Sequence, residues 1–305
     1  MKVEQLKRIF NLDELLELRH QAHSLGMASH HLINTNFSGI YASVFRGQGL
    51  NFEEVREYVA GDDIRNMDWK VTARTGKPHL KIFREERERH VLLCVDQGSH
   101  MHFATRGTLK SIQAAKAAAL LGWAALNQHD CVGGVIFTKK AEYFRPRSDH
   151  RSLWRLLKYM SEEHQYGRSS TQPLINVLKN LHQGINSGSV IFIFSDFNRE
   201  LNDLKQELIK IRQKHTVILC ALDDPADYQL PQMGQQLFHD AQQQVISVDT
   251  NDEAGQKAYF QQWETRREQL KLLCIKLNMG FIAINTDDEI HQALSSGLHQ
   301  CQHIG

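Results

Sequence analysis

From residue 90 onward the chain alternates short apolar runs with longer segments of helical period. HVLLCVD (90–96) is continuously apolar and ends in an acid, as a strand covered on both faces does. An Ala-rich segment, 108–127, predicts a helix that packs closely on a sheet. CVGGVIFT (131–138) and EYFRP (142–146) predict strands, and 149–162 and 172–183 predict helices. SVIFIFSDF (189–197) repeats the apolar run that ends in Asp. Then follow a helix at 200–213, strands within 215–225 and 244–250, a long helix at 252–277, a strand at 280–287 and a helix at 288–300. Strands alternating with helices predict an α/β fold, a doubly wound and mostly parallel sheet with Rossmann-type layering.

Before residue 90 the rhythm differs. Residues 3–24 have an apolar face at helical spacing, with Leu12, Leu15 and Leu16 on it. Residues 38–60 alternate and are broken by Gly39, Gly47 and Gly49, which predicts short strands and turns. Asp62 or Asp63 can cap a short helix through Arg74, and 79–89 predicts a polar strand. The expected division is therefore a helix plus a small charged α+β module at 1–89 and the layered domain at 90–305.

Composition narrows the classes. Lys+Arg number 36 and Asp+Glu 35, for a formal net charge of +1, so no bulk field draws the chain to nucleic acid or anionic lipid. The longest mostly apolar stretch, Ala114 to Leu126, carries Lys116 and falls short of the roughly 20 residues of a spanning helix. The charged N-terminus does not read as a signal peptide. The five Cys form no CxxC pair, and Cys94, Cys131 and Cys220 lie in strand-like runs, which fits a reducing cytoplasmic compartment. His20, His23, His30 and His31 lack the Cys or carboxylate spacing of a zinc site. No phosphate-binding loop, dinucleotide fingerprint or nucleophile elbow is present.

In an open α/β sheet ligands bind beyond the carboxyl ends of the strands. Asp96 and Asp196 end two strands there, and Asp223 and Asp224 follow a third. Converging carboxylates suit a hard divalent cation, and acids at strand ends also cap helices. Ser99, Ser195, Ser169, Ser170 and Thr171 add hydroxyls.

The order DQGSHM, then SSTQPL, then SDF resembles the metal-ion-dependent adhesion site of von Willebrand factor A-like domains. The segment REYVAGDDIRNMDWKVTARTGKPHLKIFREERER (56–89) resembles the signature of the bacterial domain-of-unknown-function 58 family, and LDDPADYQLPQMG (222–234) extends that likeness. The resemblance implies a von Willebrand A-like fold and metal ligands at Asp96, Thr171 and Asp196. This sequence departs from the pattern at Gly98 and His100, which stand where the two hydroxyl ligands belong. The expected site is thus a degenerate one with weak affinity for Mg²⁺ or Mn²⁺.

The 56–89 segment alternates charge through Arg56, Glu57, Asp62, Asp63, Arg65, Asp68, Arg74, Lys81 and Glu85, with Tyr58 and Trp69 as apolar anchors and Gly61 at the turn. It is either an internal ion-pair network or a docking surface. The resemblance implies a non-enzymatic assembly protein that works beside a MoxR-type AAA+ ATPase or another von Willebrand A-like protein, with no nucleic acid and no membrane span, in the cytoplasm or peripheral to the inner membrane through partners. The alternative is a metal-dependent hydrolase using Asp96, Asp196 and His100.

Overall fold

The computed structural model describes residues 11–23, 25, 50–59, 62–85, 89–138, 140–162, 173–181, 185–198, 201–239 and 245–301. It divides into two units, residues 38–88 and residues 1–37 with 89–305. The N-terminal helix therefore belongs to the larger unit, not to the small module. Its described part is α1 (Leu12–Glu17), followed by a 3-10 turn at Leu18–His20.

In the smaller unit β1 (Leu50–Glu57) pairs antiparallel with β2 (His79–Glu85), and α2 (Trp69–Thr75) lies between them in sequence. The single helix expected after Asp62 is broken in two. Asp63 caps only a 3-10 turn, Ile64–Asn66, while the Asp68 carboxylate accepts the Lys70 and Val71 N–H groups and starts α2. Gly76, at φ 72°, ends that helix in the left-handed conformation that glycine adopts without strain.

In the larger unit six strands form one sheet. They are β3 (His90–Asp96), β4 (Cys131–Phe137), β5 (Ala141–Arg147), β6 (Val190–Ser195), β7 (Thr216–Asp223) and β10 (Gly280–Asn285). The order across the sheet is β10-β7-β6-β3-β4-β5, with β5 antiparallel to β4 and the other pairs parallel. This is a doubly wound order, and it reverses between β3 and β6. The expectation of a mostly parallel α/β sheet is met.

Successive residues of β3 face opposite sides. Val91, Leu93 and Val95 join a core with α1, α3 (Lys110–Asn127), α4 (His150–Ser161) and α9 (Ile290–Cys301). Leu92 and Cys94 join a second core with α5 (Pro173–Leu181), α6 (Leu201–Arg212) and α8 (Glu253–Lys276). Helix α3 is buried nearly all round, which explains its alanines: the sheet lies on one side and α1 on the other. The Trp123 indole N–H donates to the Leu15 carbonyl at 3.0 Å and fixes that cover.

The run at 244–250 is not part of this sheet. β9 (Val245–Asp249) pairs antiparallel with β8 (Gln235–His239) in a separate hairpin that follows the short helix α7 (Pro225–Tyr228). Periodicity predicts a strand here but does not say which sheet it joins, because either sheet accepts the same alternation.

Candidate functional site

The order reversal brings the ends of β3 and β6 side by side, and with them Asp96 and Asp196. Asp96 is fully buried. A carboxylate out of water costs several kcal/mol unless donors surround it. Here the Ser195 hydroxyl donates to Oδ2 at 2.7 Å and the Gly98 N–H donates to Oδ1 at 3.0 Å. His100, with its proton on Nε2, donates to Oδ2 at 3.2 Å. The same Nε2 lies 3.8 Å from Asp196 Oδ1, so the imidazole stands between the two carboxylates.

Asp196 Oδ1 also accepts the Asn198 N–H at 3.1 Å. That return is possible because Phe197 turns the chain at φ 51°, a conformation that costs a residue with a Cβ on the order of 1 kcal/mol. The buried Phe197 ring holds the turn in place. On the first loop the 3-10 turn Ser99–Met101 buries Met101, and His102 Nδ1 donates to the Gly98 carbonyl at 3.0 Å.

The third acidic turn does not join this cluster. Asp223 pairs with the Arg267 guanidinium and accepts the Trp263 indole N–H at 3.2 Å. Asp224 accepts the Thr105 N–H at 2.8 Å, the Thr105 hydroxyl, the Ala226 N–H at 2.9 Å and the Thr286 hydroxyl at 2.7 Å. Burial alone would raise its pKa, but these hydrogen bonds hold it below the ordinary value. Asp224 thus ties the loop after β3 to the ends of β7 and β10. Asp227 reaches back to cap Asp224 and pairs with the buried Lys110 ammonium at 2.6 Å. Neither Thr105, Thr286 nor Lys110 carried a sequence signal, since their partners lie more than a hundred residues away or on another element.

Asp96 and Asp196 meet as expected, and His100 joins them. Thr171 lies outside the described residues. Gly98 offers no ligand atom. Mg²⁺ requires oxygen ligands in near-octahedral array, and the position between the two carboxylates is held by an imidazole nitrogen. These residues do not fit a hard divalent cation in this arrangement. Among the described residues no group of three His, Cys, Asp or Glu side chains could hold a metal ion.

In the smaller unit the charged residues mostly answer one another. Arg56 pairs with Asp62 at 2.7 Å, Glu57 with Lys77 at 3.1 Å, and Asp68 with Lys81 at 3.7 Å. Asp63 accepts the Arg65 N–H at 3.0 Å. Arg56 and the Val59 N–H hold the Asp62 carboxyl below its ordinary range. Arg65 and Arg74 are exposed, Tyr58 is half-buried and Gly61 lies outside the described residues. Trp69 does not act as a buried anchor within its unit: it is 68% exposed.

A family model described as "Protein of unknown function DUF58" matches residues 54–269, which takes in most of the smaller unit's described part and five of the six strands of the large sheet. The chain belongs to the DUF58 family. Uncharacterized proteins of Mycobacterium bovis and Mycobacterium tuberculosis are each 29% identical to it over 212 residues, 68% of this chain and 66% of theirs. The chain thus spans just under two thirds of the length of those relatives. Among solved structures it is similar to a von Willebrand factor type A protein from Catenulispora acidiphila (TM-score 0.42, 10% identity, 73% of this chain and 44% of that one). It is also similar to proximal thread matrix protein 1 from the mussel byssus (TM-score 0.40, 13% identity, 71% and 47%). For a DUF58 chain the site at the order reversal therefore has to be read from its own geometry.

Proposed function

We propose that this DUF58 chain is a non-enzymatic binding module that grips a protein partner by direct contact at the carboxyl edge of its sheet. It acts in the cytoplasm beside a MoxR-type AAA+ ATPase in the maturation of other proteins. The ATPase and the compartment rest on the family resemblance of the 56–89 segment. Among the described residues no helix is long and apolar enough to cross a membrane.

The observation that supports direct contact is the His100 ring. It stands between Asp96 and Asp196, and its side chain is 37% exposed. The edge therefore presents a fixed imidazole in place of an open coordination position. Phe103, on the same loop after β3, is 43% exposed and adds apolar surface to that loop. Aromatic and imidazole groups held rigidly at a rim make good contact points for a partner because little side-chain entropy is lost on binding. For hydrolysis a base must reach substrate and several carboxylates must surround the metal. Here Ser195 is buried against Asp96, and Asp223 and Asp224 are engaged elsewhere.

The test mixes the purified chain with a MoxR-type ATPase from the same genome and reads co-elution and ATP turnover. The expected result is a complex that the His100→Ala/Phe103→Ala variant weakens about tenfold. Failure to form any complex overturns the partner. Phosphatase or nuclease turnover with Mg²⁺ or Mn²⁺ that Asp96→Ala abolishes overturns the non-enzymatic reading.

A further inference from the structure

At the opposite edge of the same sheet lies a second concave surface. β5 runs antiparallel and returns the chain to the amino-terminal edge, where α4 begins. Helix α3 ends at that edge too, bringing Trp123 beside His150, with ring centroids 5.9 Å apart. Between α4, the end of α3 and the turn after α1 is a cavity of about 600 Å³. Trp123 and Trp154 form its aromatic walls, and Arg19, Arg151 and Arg155 stand around it.

The sequence of α4 shows that this face is not needed for packing. Leu153, Leu156, Leu157 and Met160 form its buried stripe. Arg151, Trp154, Arg155 and Lys158 follow the same 3.6-residue period on the outward side. Arg151 and Arg155 stand one turn apart, and like charges at that spacing weaken a helix. Among the described residues neither guanidinium pairs with a carboxylate. Asp149 caps the helix through the Ser152 N–H at 2.7 Å and the Ser152 hydroxyl at 2.9 Å and also feels the Arg155 charge, while Lys158 faces Glu162 at 4.0 Å. The Trp123 indole N–H is occupied by Leu15, so its ring is fixed as a wall. Trp154 remains 38% exposed, with the Lys158 ammonium 5.3 Å from its ring centre. The face thus sets three guanidinium groups, those of Arg19, Arg151 and Arg155, beside two indole rings, one of them fixed by its hydrogen bond to Leu15.

We propose that this cavity binds an acidic, extended peptide segment of a protein partner that carries an aromatic residue. Guanidinium forks match carboxylates in bidentate geometry, and indole faces take an aromatic side chain edge-on or offset. Side chains two residues apart on an extended peptide lie on one side at about 7 Å, a spacing that guanidiniums one helical turn apart can meet. An acid–x–acid–x–aromatic pattern therefore fits. With a net charge of +1, the chain has no wider positive field of the kind that gathers a nucleic-acid backbone, which favours a short acidic peptide. This site is separate from the His100 edge and does not depend on that reading.

The test is a titration of the full chain into fluorescein-labelled Glu-Ser-Glu-Ser-Phe, followed by anisotropy, with Lys-Ser-Lys-Ser-Phe and labelled oligouridine as comparisons. The acidic peptide saturates below about 1 mM and loses affinity as salt rises. Arg151→Glu/Arg155→Glu weakens it about tenfold or more, while His100→Ala leaves it unchanged. Because the double charge reversal can itself disturb α4, Trp154→Ala, at an exposed position, is measured too and lowers affinity about fivefold. Absence of saturable binding, equal binding of the basic peptide, or unchanged affinity in Trp154→Ala and the folded arginine variant overturns the proposal. Tighter binding of oligouridine than of the acidic peptide also overturns it, in favour of a nucleic-acid face.

Discussion

A Cβ placed on Gly98 would lie 2.7 Å from Cε1 of His100 and 2.9 Å from its Nδ1. The two departures from the adhesion-site pattern are therefore one feature: the imidazole can lie between Asp96 and Asp196 because residue 98 has no side chain.

That coupling predicts an order of effects. Gly98→Ser alone pushes the ring off the carboxylates and weakens partner binding. Gly98→Ser/His100→Ser removes the obstruction and supplies two hydroxyls beside Asp96 and Asp196. In calorimetry the wild type gives no binding heat with about 1 mM Mg²⁺, and the double variant does. Strong Mg²⁺ binding by the wild type, lost in Asp96→Ala, would refute this account of the loop.

Asp224 is expected to be the most damaging acid to remove. Asp224→Ala leaves the Thr105 N–H and hydroxyl, the Ala226 N–H and the buried Thr286 hydroxyl without their acceptor. The expected loss in urea unfolding is about 3 kcal/mol or more. A loss under about 1 kcal/mol would mean that water replaces the carboxylate there.

Arg267 and Asp223 form a buried pair. Arg267→Ala strands the carboxylate with the Trp263 indole N–H and costs about 3 kcal/mol. Adding Asp223→Ala recovers part of that loss, and the double-mutant cycle gives a coupling of about 2 kcal/mol. Additive losses would show that the two residues act independently.

Asp130 makes stability depend on pH. Burial raises its carboxyl from 3.8 to about 6, with the Arg89 charge opposing. The folded value lies above the unfolded one, so the folded state holds this proton more tightly. Its contribution is complete below about pH 4, is lost as pH rises through about 6, and is absent above. Asp130→Asn flattens that slope and stabilises the chain at pH 7 by about 1 kcal/mol, allowing for partial solvent screening. A slope unchanged in the variant would assign the pH dependence to another group.

The layered fold was legible because its strands are unbroken apolar runs such as HVLLCVD and VIFIFS, which only a sheet covered on both faces accommodates. The meeting of Asp96 with Asp196 followed from the same logic, since both end such runs. The orientation of His100 was not legible. A histidine four residues after an acid can point to solvent as readily as inward, and the glycine contact that decides it is a matter of a few tenths of an ångström. Asp224 looked like a third ligand for the opposite reason: its partners, Thr105 and Thr286, are ordinary polar residues far away in sequence. The helix at 149–162 was legible but its Arg/Trp face was not, because an outward stripe becomes a cavity only when the turn after α1 and Trp123 wall it.

The cover that α1 gives to α3 has a consequence for chain architecture. The Leu15–Trp123 contact spans 108 residues, and the unit at 38–88 lies wholly inside the loop that it closes. Closure entropy grows only with the logarithm of loop length, about 0.6 kcal/mol per doubling. The larger unit thus tolerates lengthening or replacement of what is inserted between its first helix and its first strand. The sheet that holds Asp96, His100 and Asp196 is built without a strand from residues 38–88, so its fold does not depend on what that loop carries.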